Sequence, residues 1–282
     1  MDSETPIVAM IYDFDWTLLN GNMQEFGLIG SLGYENDEFW AKVTDYAIRE
    51  KMDANLACML YTKRAIEKAG NRFTRDFLKS FGKTLDDHFM PGVEDWFSSI
   101  NKIGKSMGLR IEHYLITSGF REIVEGSEII DNFREIFACE YQYGFDGLAM
   151  WPKNVINYTT KTQYISRISK GTLDLADSNT VNTSIAKRRI PYANMVYFGD
   201  GYTDIPCMTM MRNKGGHPIA VYKEKIEVAE NLLRDKRVEY IAPADYTEGS
   251  ELYRLISSIL SLIKDESALR RVSDKQSAAI ER

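Results

Sequence analysis

Cysteine and histidine are scarce in this chain, and their scarcity narrows its chemistry. The three cysteines, Cys58, Cys139 and Cys207, lie far apart and form no CxxC pair. Neither a disulfide framework nor a thiolate zinc site is implied, and they read as buried, reduced thiols. The three histidines, His88, His113 and His217, show no ligand spacing and read as surface or packing residues. No apolar run approaches the roughly 20 residues needed to cross a bilayer. The opening Met-Asp-Ser-Glu-Thr-Pro is acidic where a secretory leader would be basic. Positive charge is in deficit, with a formal net charge of -6 over 282 residues, which argues against general affinity for nucleic acid or anionic membrane. The expectation is a cytoplasmic protein whose partner is a small molecule, with no nucleic acid, no membrane and an open oligomeric state. Internal repeats and low-complexity segments are absent.

What is present is a folding core. Hydrophobic residues make up 44% of the chain and aromatics 12%, and its length exceeds the usual single domain, so either a large core carrying an insertion or two domains of unequal size is expected. Four apolar runs read as buried parallel strands: Ile7 to Tyr12, Ile111 to Ile116, Met195 to Phe198 and Pro218 to Tyr222, with Val238 to Ala242 continuing the set. Helical patterns over Gly119 to Phe137, Thr160 to Ile168, Asp204 to Met211 and Lys223 to Leu233 supply crossovers, and Gly249 to Ile263 reads as a packed terminal helix. This alternation predicts an α/β fold, a Rossmann-like doubly wound parallel sheet.

Residues 21–90 break the pattern with helices over Asp37 to Arg49, Ala54 to Ala69 and Thr74 to His88. They are read as an inserted helical cap whose Phe39, Trp40, Tyr46, Met52, Met59 and Tyr61 form a small core of its own. Pro91-Gly92 marks the return to the core. The core then comprises 1–20 and 91–265, and 266–282 is a polar, frayed tail. Phe137 to Trp151 reads as a hairpin around Phe145-Asp146-Gly147. Lys187-Arg188-Arg189 reads as a solvated helix end.

The first apolar run ends in Asp13-Phe14-Asp15-Trp16-Thr17. Side chains alternate along a strand, so Asp13 and Asp15 share a face, and two like charges that close require a cation or a shared proton. Two other strand ends carry Thr117-Ser118-Gly119 and Gly199-Asp200-Gly201-Tyr202-Thr203-Asp204. Ligands of open α/β sheets bind outside the carboxyl ends of the strands, so the three segments could meet at one pocket. Each alone is unremarkable, a turn or a helix cap. Their meaning comes from the combination.

With Lys161 added, the set resembles the haloacid dehalogenase superfamily of phosphohydrolases, and the placement of the insertion resembles its phosphoserine phosphatase-like branch. The family pattern is an apolar strand ending DxDxT, a second ending in Ser or Thr, a lone Lys before a helix, and a third followed by GDxxxD-like acids. All four occur here in order and span nearly the whole chain outside the cap. Trp16 stands where glycine is common, which bears on substrate access. The resemblance implies a phosphoric monoester hydrolase acting on a small phosphorylated metabolite. Asp13 would be the nucleophile that becomes an aspartyl-phosphate, Asp15 the general acid and base, and Thr17 a positioning hydroxyl. Ser118 and the Gly119 amide would hold phosphate oxygens, with Lys161 preferred over Lys153 as the cation beside them. Mg²⁺ would bind Asp13, the backbone carbonyl of Asp15 and Asp200, with Asp204 a ligand through water or a group that orients the others. Residues Asn20 to Phe26 are candidates for leaving-group contact. A phosphotransferase or phosphomutase using the same intermediate, and a non-catalytic phosphate-binding regulator, are the alternatives.

Overall fold

The computed structural model describes residues 5–185, 188–224 and 226–280. Its framework is built from β1 (Ile7–Tyr12), β2 (Arg110–Phe120), β3 (Phe133–Tyr143), β4 (Ala149–Asn154), β5 (Met195–Gly199), β6 (His217–Tyr222) and β7 (Tyr240–Pro243). They form one sheet in the order β4-β3-β2-β1-β5-β6-β7. Every neighbouring pair is parallel except β3 with β4. β1 lies at the centre and is almost wholly buried, which is why its apolar residues run on without alternating.

Between β1 and β2 the chain forms α1 (Leu28–Ser31), α2 (Asn36–Glu50), α3 (Ala54–Lys68), α4 (Arg75–Lys79) and a 3₁₀ stretch, Ser80–His88. Phe39 and Met59 are buried in this insertion, while Trp40 and Tyr61 pack at the edge of the core. The chain then turns through Gly92, at φ 80, into α5 (Val93–Ser106). A β-carbon at Gly92 would lie 2.5 Å from the Thr247 amide nitrogen, so close approach and backbone conformation both require glycine. The remaining helices are α6 (Arg121–Val124), α7 (Lys161–Lys170), α8 (Ser178–Asn182), α9 (Ile205–Asn213), α10 (Ile226–Arg234) and α11 (Glu251–Ile280).

Register places the site. Tyr12 stands opposite Leu115 on β2 and Phe198 on β5. Asp13, Thr117-Ser118 and Gly199-Asp200, one to three residues further along, therefore emerge together at the carboxyl edge of the sheet. The chain leaves β1 toward β2 on one side and later returns through β5 on the other, so a crevice opens above β1. The strand is pinned from below. Trp96 Nε1 donates to the Tyr12 hydroxyl at 2.9 Å, and that hydroxyl lies 3.0 Å from His113 Nδ1. Because an indole N–H can only donate, Tyr12 gives its own proton to Nδ1, leaving His113 Nε2–H to donate to Asn101 Oδ1 at 3.2 Å. Burial pushes His113 down to about 3, so this histidine is a neutral core group.

Four sequence expectations need correction. The helix expected over Gly119 to Phe137 is only Arg121–Val124, and the stretch beyond it becomes β3. Charges within Phe133–Tyr143 imitate an amphipathic helix, yet Arg134 pairs with Glu112 and Glu140 with Lys153 across the sheet, and Glu140 also meets Arg75 of α4. The expected hairpin exists, but its first strand begins at Phe133 and pairs in parallel with β2 as well. The terminal helix runs on to Ile280, through the stretch expected to fray. No glycine or proline interrupts it, and Arg270 donates to Asn194 at 2.7 Å. Finally, Arg189 is no solvated helix end, because it is bonded to the buried Glu112. Arg188 lies over the Tyr192 ring, and Lys187 falls outside the described residues.

Candidate active site

The Asp13 amide donates to the Phe198 carbonyl at 2.9 Å, extending the β1–β5 ladder and aligning the two acidic strand ends. Asp13 is buried, and its Oδ1 accepts the Phe14 amide at 2.8 Å. Its Oδ2 lies 2.8 Å from Lys161 Nζ, which also reaches Asp204 Oδ1 at 2.9 Å. Lys161 is the first residue of α7, whose start is fixed by Asn157: its Oδ1 accepts the Thr159 and Thr160 amides at 3.1 and 2.9 Å. That turn holds the lysine where it bridges two carboxylates. Lys153 lies elsewhere, paired with Glu140 at 2.9 Å.

Asp204 is completely buried. Tyr197 on β5 donates to its Oδ1 at 2.7 Å, a contact with no signal in the sequence, while its Oδ2 has no hydrogen-bond partner. Gly199 makes room for it, since a β-carbon there would lie 2.5 Å from that oxygen. Asp13, Asp200 and Asp204 each present a carboxylate oxygen, all within 4.8 Å of one another. An oxygen-only cluster with an orphaned buried carboxylate oxygen has the donor chemistry that hard divalent cations prefer.

The electrostatics agree. Asp13, Asp15, Asp200 and Asp204 face one lysine. Burial, then the Asp204 charge, raises Asp13 to about 7. Burial followed by Asp204 and Asp13 raises Asp200 to about 8. Asp15 rises to about 8 through burial and the Asp13 charge, although its Oδ1 accepts the Met23 amide at 2.9 Å. Burial alone would lower Lys161, but Asp13 and Asp204 outweigh it and hold the ammonium charged.

Not every expected residue reaches the cavity. Ser118 and Thr117 line it, but Gly119 does not, and its amide donates to Thr117 Oγ1 at 2.9 Å instead of standing open for phosphate. The chain is still extended there rather than entering a helix, so a short hydroxyl two residues back captures the amide. Gly119 also sits against Met23, whose Cε would be 2.0 Å from a β-carbon. Thr17 is fully buried with its hydroxyl unpartnered, and its carbonyl accepts from the Tyr246 hydroxyl at 3.0 Å. The side chains of Asp13, Asp15, Ser118, Lys161 and Asp200 do converge on one cavity of about 800 Å³. Asn22, from the segment expected to meet the leaving group, lines it too, as do Ala54 and Asn55 at the start of α3.

No family model matches the sequence. An uncharacterized protein of Borreliella burgdorferi is 28% identical over an alignment of 292 positions, gaps included, that covers 93% of this chain and 99% of that one. Among solved structures, a HAD family hydrolase of Salmonella enterica serovar Typhi superposes with a TM-score of 0.57 at 17% identity, over 91% of this chain and 72% of the other. A phosphoserine phosphatase in its apo form gives 0.53 at 15% identity, covering 83% and 92%. A cytosolic 5'-nucleotidase IIIB bound to cytidine gives 0.53 at 13%, covering 94% and 88%. The fold of this chain is that of the haloacid dehalogenase-type and phosphoserine phosphatase-like hydrolases.

Proposed function

We propose that this protein, with its haloacid dehalogenase-type fold, is a Mg²⁺-dependent phosphatase that hydrolyses a small phosphomonoester through an aspartyl-phosphate on Asp13. The observation that carries the reading is Lys161 Nζ held between Asp13 Oδ2 and Asp204 Oδ1 at the floor of the cavity. Such a cation draws a phosphate toward a carboxylate that would otherwise repel it.

In the first half-reaction an Asp13 carboxylate oxygen attacks phosphorus and the bond to the ester oxygen breaks. Asp15 gives that departing oxygen a proton. Burial and the Asp13 charge raise its pKa, which favours the protonated form that this step needs. In the second half-reaction Asp15 takes a proton from water, the water oxygen attacks phosphorus, and the bond to Asp13 breaks to release inorganic phosphate. Ser118 donates to a phosphate oxygen through its hydroxyl, and Lys161 holds a second through its ammonium. Asp13, Asp200 and Asp204 would hold the Mg²⁺, which when bound would offset the charge of the carboxylates and of the phosphate. The insertion over residues 21–90 acts as a cap that excludes bulk water and gates turnover. The physiological partner is a phosphorylated metabolite of the cytoplasm rather than a nucleic acid or a membrane. Among the described residues no helix is long and apolar enough to cross a membrane.

Phosphate release from an aryl phosphate tests the reading. Activity is expected with Mg²⁺ and not with excess chelator, and Asp13→Asn should abolish it. Turnover by that variant at the wild-type rate would refute the nucleophile, and chelator-insensitive turnover would refute the metal.

A further inference from the structure

The acidic floor accounts for the phosphate, yet most of the cavity lies above it, and aromatic rings stand around that space. Trp16 follows β1, Tyr158 lies in the loop before α7, Tyr202 follows β5, and Tyr222 ends β6; all four line the cavity. Three of them are well exposed, Trp16 at 44%, Tyr158 at 57% and Tyr202 at 64%. Elsewhere the chain packs its rings together: Tyr12 meets Phe97, Phe133 and Phe198, and Trp96 meets Tyr246. Among the described residues, none of the four cavity rings is paired with another aromatic ring. Their faces are open to a ligand.

Trp16 adds a second, independent observation. It adopts φ 59, in the left-handed region that bulky side chains seldom enter. The strained backbone aims a half-exposed indole into the cavity one residue from Asp15. Strain that a fold keeps beside its chemistry points to a use. From these observations we propose that the ester's leaving group carries a flat ring, as in a nucleoside monophosphate or an aryl phosphate, and that Trp16 and Tyr202 hold the ring by stacking. A volume of about 800 Å³ fits that class, being far more than a short acyclic alcohol would fill. Asn22, Asn55 and Glu224 supply polar edges around the same space. A quaternary ammonium would also favour aromatic faces, so phosphocholine serves as the competing ligand in the test.

This proposal deepens the phosphatase reading and rests on it, so the test separates the two. Calorimetric titration of the Asp13→Asn protein in Mg²⁺, which leaves esters intact, measures binding without turnover. Adenosine 5'-monophosphate and phenyl phosphate are expected to bind about tenfold more tightly than phosphoserine or phosphocholine. Adding Trp16→Gly, which relieves the strained φ, should remove most of that preference without lowering the melting temperature. Adding Tyr202→Phe, which keeps a ring, should retain it. Equal affinities, tightest binding of phosphocholine, or a preference untouched by Trp16→Gly would each overturn the proposal. Phosphate release by the wild-type protein is scored separately. If no ester is hydrolysed while the ring preference persists, the phosphatase reading falls and the ring pocket stands.

Discussion

Two buried acidic sites sit on the same sheet, at opposite edges, and they are charged in opposite senses. At the amino end of β2, Glu112 is met by three arginines. Arg189 grips it with two hydrogen bonds of 2.6 and 2.7 Å, Arg110 lies at 2.7 Å, Arg134 at 3.6 Å, and the Tyr114 hydroxyl donates at 2.6 Å. Burial alone would raise Glu112, but these partners outweigh it and bring the carboxyl down to about 2. At the carboxyl end, Asp13, Asp15, Asp200 and Asp204 share one lysine, and three of these carboxyls are raised to about 7 or 8. The fold brings three arginines to Glu112. The shortage around Asp13 is therefore local, and it is the kind of imbalance that a bound cation and a reacting phosphate resolve.

The contrast can be broken in several ways. The largest effect is expected at the under-neutralised end, where Asp13→Asn should lower phosphate release by about a thousandfold or more. Glu112→Gln should leave kcat/KM unchanged and instead destabilise the fold by about 1–3 kcal/mol, read from denaturant midpoints, because three guanidinium groups lose their carboxylate. An equal loss of activity in both variants would erase the distinction.

Acid and base should then pull the two ends in opposite directions. Glu112 has a folded pKa below its unfolded value, so its contribution to stability is present above about 4.5 and is lost as pH falls toward about 2. Asp13, Asp15 and Asp200 have raised values, so without metal their contribution is present below about 4 and is lost as pH rises through about 7 to 8. Chelator-treated protein followed by thermal melting from pH 4 to pH 8 should therefore show a penalty at the upper end that Mg²⁺ removes. A metal-free melting temperature that climbs steadily to pH 8 in step with the Mg²⁺-loaded protein would contradict this. The smallest effect is expected of Asp200→Asn, which should stabilise the metal-free fold by about 1 kcal/mol by removing a crowded charge, and should abolish the gain from Mg²⁺.

The carboxyl end was legible in the sequence because its residues are placed by strand ends. Asp13, Ser118 and Asp200 each follow an apolar run closely, and Lys161 opens a helix whose Thr-rich start is visible. Glu112 and Arg189 are 77 residues apart and share no pattern, so their union shows only in three dimensions. Tyr197 was hidden in a run that reads as plain core, and Asn157 in a loop. β3 was misread because its charges mimic a helix face, and the Gly119 amide because a helix start was expected two residues too early. Trp16 was noticed as a departure, but its φ and its open face belong to the backbone and not to the residue string.

Asn157 also joins two parts of the molecule. Beyond fixing the turn before the helix that carries Lys161, its Nδ2 donates to Asp53 Oδ2 at 3.1 Å, while Asn55 Nδ2 donates to the neighbouring Ile156 carbonyl at 2.8 Å. Asp53 in turn caps α3. Two helix starts, one in the insertion and one in the core, are thus buttoned to each other beside the cavity. For α3 to swing outward, both fastenings must give way, at about 1–3 kcal/mol together. Opening of the entrance is thereby tied to the anchorage of the ammonium inside it.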